Sequence, residues 1–109
     1  MITFITMAML GAILIALGIC NMMGNISSLH WYHRQRVSEA DKKPMGRLVG
    51  IGTLLIGAVM PLFGACLWIH EATGLVGVVI GGTCVLIVGI VAGLSITLYG
   101  IHKYNKGIF

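Results

Sequence analysis

Three long apolar runs separated by two polar breaks organise this chain. The first extends from Ile2 to about Met23 without a charged residue, the second from about Leu48 to Ile69, and the third from about Gly74 to Tyr99. At 1.5 Å per residue the first run makes about 33 Å of helix, enough to cross a hydrocarbon core of about 30 Å. The pattern therefore predicts an all-α integral membrane protein with three transmembrane helices at 2–23, 48–69 and 74–99. A basic loop covers 26–47 and a tail covers 100–109, so that 1–109 forms one membrane domain. The connection His70-Glu71-Ala72-Thr73 is so short that the second and third helices are expected to fold as an antiparallel hairpin.

Composition agrees with that reading. Hydrophobic residues make up 58% of the chain and charged residues 9%, against about a quarter charged in a soluble domain. Three spans use most of the length, leaving no room for a soluble catalytic domain. All seven Lys and Arg fall in two places: Arg34, Arg36, Lys42, Lys43 and Arg47 in the first loop, and Lys103 and Lys106 in the tail. Cations mark cytoplasmic segments, so the N-terminus is expected outside and the C-terminus inside. Aromatic placement points the same way, with Trp31, Tyr32, Tyr99 and Tyr104 at the inner interface and Phe4 and Trp68 at the outer one. No Lys or Arg precedes Arg34, so the first run does not read as a cleaved signal. The bulky Ile19 before Cys20 likewise argues against a lipoprotein cleavage box. The net charge of +4 is accounted for by anionic lipid headgroups, without nucleic acid.

Helices in lipid associate through close backbone approach, so small residues are the candidate packing positions. Ala8, Ala12 and Ala16 form such a series in the first span, and Gly50, Gly57 and Gly64 follow at intervals of seven in the second. In the third, Gly77, Gly81, Gly89 and Gly93 recur at multiples of four, interrupted by Val85 and extended by Thr97. These ridges either close the three-helix bundle or face another copy. The side-chain surface that three short helices leave uncovered favours a homo-oligomer or a larger membrane complex.

The polar residues within or bordering the spans are mild: Asn21, Asn25, Thr53, Ser95 and Thr97 in the cytoplasmic half, and Thr83 and Cys84 nearer the middle. Either they line a small vestibule, or the hydroxyls bond back to their own helices while the two Asn border the first. No ionisable carboxylate, amine or imidazole lies near a midplane, which disfavours a proton-driven transporter. In the loop, His30 and His33 would share a helical face, but two ligands make a poor metal site, and neither metal nor cofactor is expected. Arg34, Arg36, Lys42, Lys43 and Arg47, with the His pair, are expected at lipid headgroups or against a partner protein. Ser38 and Asp41 form a capping pair, and an N-cap at Asp41 would place Pro44 in the first turn of the second helix. Cys20, Cys66 and Cys84 lie at different depths, too far apart to pair.

The runs Gly24-Asn25-Ile26, His33-Arg34-x-Arg36-Val37-Ser38-Glu39-x-Asp41 and Gly46-Arg47-Leu48-Val49-Gly50-Ile51-Gly52 resemble a family of small three-span bacterial membrane proteins, mostly Gram-positive, catalogued as a domain of unknown function. The resemblance covers nearly the whole chain. It implies the three-span topology and a bacterial inner membrane, with Asn25, His33, Arg34, Arg36, Asp41 and Gly50 in the family pattern, and it supplies no activity. The expectation is a non-enzymatic oligomeric or accessory packing subunit. An oligomeric pore for a small ion or solute is the alternative, and an immunity protein against a bilayer-active toxin is a third reading.

Overall fold

The computed structural model describes residues 2–24 and 37–106. They form three helices: α1 at Ile2–Met22, α2 at Glu39–Thr73 and α3 at Val76–Tyr104. Each is long and apolar enough to cross a membrane.

α2 and α3 outrun their apolar runs for identifiable reasons, while α1 keeps to its own. α2 begins at Glu39, so Ser38 rather than Asp41 occupies the N-cap position. The Asp41 amide donates to the Ser38 carbonyl at 3.0 Å, and Pro44 sits inside the helix. The Ser38 side chain makes no capping bond; tertiary packing holds these turns instead. Met45 and Val49 are buried against Ile101 of α3, with Val37 and Tyr104 packed alongside. The same contact carries α3 on to Tyr104, so the expected tail is helical over its first five residues, 100–104.

The second break also differs from expectation. Residues His70 to Thr73 remain helical, and the chain turns at Gly74 and Leu75. Gly74 adopts φ 74°, a left-handed conformation that suits glycine and closes a helix. Its amide donates to the His70 carbonyl at 2.7 Å. Thr73 Oγ1 donates to the Ile69 carbonyl at 2.7 Å and accepts from the Leu75 amide at 3.3 Å. At the end of α1 the Gly24 amide donates to the Asn21 carbonyl at 2.9 Å, with Gly24 at φ 98°.

α2 is the central element: α1 and α3 both pack on it and have almost no contact with each other. Two stripes explain this. Gly50, Gly57 and Gly64 meet α1, while Gly52, Val59 and Cys66 meet α3. Both stripes repeat every seven residues. They are offset by two residues, about 200° around the helix, and so lie on opposite sides of it.

Candidate functional site

The helix contacts are made at backbone level. A Cβ on Gly11 would lie 2.6 Å from the Gly57 carbonyl oxygen, and one on Gly57 would lie 2.9 Å from that of Gly11. Gly18 and Gly50 form a second reciprocal pair, 2.9 Å on the Gly18 side, and Gly52 and Gly93 a third, 2.6 Å on the Gly93 side. Pro61 adds to the first pair. Without an N–H it cannot donate to the Gly57 carbonyl four residues back, and that carbonyl is the one directed at Gly11.

Of the small residues expected to pack, Gly50, Gly57, Gly64, Gly89 and Gly93 stand at helix contacts. Gly77 and Gly81 do not: among the described residues nothing lies within 4 Å of a Cβ at either. Their places in the α2–α3 contact are taken by Gly82, against Cys66, and Gly100, against Leu48. In α1 the alanine series is also displaced, since Ala12 and Ala16 are exposed and Ala8 is half-buried. Gly11 and Gly18 carry the contact instead. Four of the missed positions, Gly11, Gly18, Gly82 and Gly100, share one signal, which Gly46 and Gly52 lack. Gly11 and Gly18, Gly82 and Gly89, and Gly93 and Gly100 are each seven apart, the same interval as the α2 stripe.

The cations gather at one end. Lys42, Lys43 and Arg47 lie in the opening turns of α2, with Lys103 and Lys106 at the end of α3, where Met45, Val49 and Ile101 pin the two helices together. The end of α1 joins them, a Cβ on Gly24 falling 3.9 Å from Lys43. Lys42 pairs with Glu39 at 2.6 Å, and both are solvent-exposed. Lys103 Nζ lies 5.8 Å from the Tyr99 ring centroid and 5.3 Å from that of Tyr104, within cation–π range. At the other end the Phe4 and Trp68 rings pack in a tilted pair with centroids 5.3 Å apart, and His70 Nδ1 reaches the Leu75 carbonyl at 3.2 Å. The expected headgroup or partner residues His30, His33, Arg34 and Arg36 lie outside the described residues.

Two open apolar recesses run along one side of the α2–α3 pair. The first, of about 390 Å³, is lined by Leu55, Val59, Val85, Val88 and Ala92 among others. The second, of about 490 Å³, includes Leu62, Ile69, Gly77, Gly81 and Val85. Val85 borders both, so they are successive parts of one groove.

The polar side chains mostly serve their own helices. Thr6, Thr53 and Thr83 donate to the carbonyls of Ile2, Val49 and Val79 at 3.0, 2.8 and 2.8 Å. Thr97 is the exception: among the described residues its hydroxyl is buried without a hydrogen-bond partner, close to Gly52. Asn21 and Asn105 are buried. Ser95 is exposed, as are Cys20 and Cys84, and Cys66 is half-buried; all three cysteines are free. Among the described residues no three His, Cys, Asp or Glu come together as metal ligands. Compared with protein-family models, with curated proteins and with solved structures, the chain matches none.

Proposed function

We propose that the protein crosses the bacterial inner membrane three times, N-terminus outside and C-terminus inside, with α2 and α3 as an antiparallel hairpin. Within that membrane it acts as a non-enzymatic packing subunit, oligomeric or accessory to a larger complex. The observation that carries the reading is the gathering of every described Lys and Arg at one end of three span-length apolar helices. In a bilayer that end belongs on the cytoplasmic side. Large apolar side chains stay open along the helices, among them Met9 at 62%, Ile80 at 60% and Val88 at 68% exposure. Lipid or a second chain covers such surface at little cost, whereas water does not. Gly77 and Gly81 support association with a further helix, because each weakens α3 relative to alanine while no described residue lies within 4 Å of a Cβ at either. Thr53 and Thr83, which a pore would turn toward its axis, donate instead to their own helices. The likeness of the Gly24 to Gly52 region to small Gram-positive membrane proteins supports the bacterial assignment.

The mass of the full chain in mild detergent tests the assembly. A single oligomer, or stable recovery with other membrane proteins, supports a packing subunit. A strictly monomeric chain that copurifies with nothing refutes it.

A further inference from the structure

The apolar groove and two of the cations, Arg47 and Lys103, occupy the same side of the α2–α3 pair. On α3 the groove residues Val85, Val88 and Ala92 continue through Ile96 and Tyr99 to Lys103 in steps of three or four, which keeps them on one helical stripe. On α2 the groove residue Leu55 leads back in steps of four through Ile51 to Arg47, and both Ile51 and Arg47 are exposed. Gly100 meets Leu48, so Arg47 and Lys103 stand within about 3 Å of the same level along the helices. Lys103 is held against two tyrosine rings, an arrangement that fixes a cation while leaving it solvated. Arg47 supplies the planar fork that matches phosphate oxygens. From Lys103 back to Ala92 is eleven residues, about 17 Å of helix, close to half of a hydrocarbon core about 30 Å thick.

We infer that this face binds one anionic phospholipid of the cytoplasmic leaflet. Its phosphate lies between Arg47 and Lys103, and one acyl chain runs past Tyr99 and Ile51 into the recess lined by Leu55, Val85, Val88 and Ala92. Charge complementarity selects the occupant, since an apolar groove alone would accept any chain while this one opens on two cations at headgroup depth. The structure also separates the cations by role. Lys42 is neutralised locally by Glu39, so Arg47 and Lys103 carry the recognition. The inference rests on the membrane-spanning reading above.

Native mass spectrometry of the full chain in mild detergent, titrated with phosphatidylglycerol or phosphatidylcholine, tests it. Saturable retention of one phosphatidylglycerol per chain is expected, with Arg47→Gln and Lys103→Gln each weakening retention about fivefold. Val88→Trp, which fills the recess from its open side, abolishes retention. Lys106→Gln and Val91→Trp, a cation at the same end and an exposed side chain outside the groove, leave it unchanged. Equal retention of phosphatidylcholine, equal loss in Lys106→Gln and Lys103→Gln, or full retention by Val88→Trp would each overturn the site. A chain that needs detergent yet retains no phosphatidylglycerol refutes the lipid site alone. A chain that stays dispersed and folded without detergent refutes the membrane reading beneath it.

Discussion

Replacing Gly11 by alanine probes the backbone contact on which the α1–α2 packing depends. The added Cβ falls 2.6 Å from the Gly57 carbonyl oxygen and 2.8 Å from Pro61 Cδ, and ordinary contact begins at 3.4 Å. Both neighbours are rigid, one a helix carbonyl and the other a ring carbon. No side chain can swing aside, so α1 and α2 must part by about 0.8 Å, the interval from 2.6 to 3.4 Å. A gap of that size forfeits about a quarter to a half of the dispersion energy of each contact it opens, and overpacking of this kind costs about 1–3 kcal/mol. Alanine also returns up to about 1 kcal/mol of helix propensity, which Gly81→Ala isolates because a Cβ there meets no described residue within 4 Å. The expected result is that Gly11→Ala lies about 1–3 kcal/mol below Gly81→Ala in stability. Thermal unfolding in one mild detergent, followed by circular dichroism, measures the difference. If the two variants melt together, the close approach of α1 to α2 does not support the fold, and the reasoning fails.

Three further outcomes follow from other positions. Gly74→Ala forces a Cβ into φ 74° and should cost about 1 kcal/mol in the same melt; an unchanged melting temperature would mean that the α2–α3 turn is held some other way. Thr97→Val keeps the side-chain shape while removing a buried hydroxyl that lacks a partner among the described residues, so stability should hold or rise by up to about 1 kcal/mol, and a clear loss would show that the hydroxyl is paired after all. In a background with Cys20, Cys66 and Cys84 replaced, Lys42→Cys should react with an impermeant thiol reagent only after the membrane is opened, and labelling of intact cells would reverse the proposed orientation.

The existence of three helices was legible because uncharged runs of span length leave a chain few other conformations. Their ends were less so. The opening turns of α2 carry a mixed polar sequence, and only the burial of Met45 and Val49 against Ile101 explains why helix persists there. The packing faces were legible in part, for a physical reason. A helix that is apolar all round gives hydrophobic periodicity no direction to indicate, so small residues are the remaining guide, and in α3 they allow two readings. The interval of four picked out Gly77 and Gly81, whereas the interval of seven leads to Gly82 and Gly100, which meet α2. In α1 three alanines drew attention from two glycines, although the reciprocal contact with Gly50 and Gly57 needs a position with no Cβ at all. The groove was not legible, because it arises between α2 and α3 at residues that look interchangeable along the chain.

The near absence of contact between α1 and α3 shapes how this sequence can change over generations. Each outer helix answers to α2 alone, so a substitution that loosens one seam leaves the other intact, and effects on the two sides should combine additively. One seam can drift while the other keeps the molecule folded, and a compensating change needs to arise only in the pair that was disturbed. The constraint falls on α2, where glycines two residues apart, Gly50 and Gly52, serve opposite neighbours. That short stretch of the middle helix is therefore where the chain has least freedom to vary.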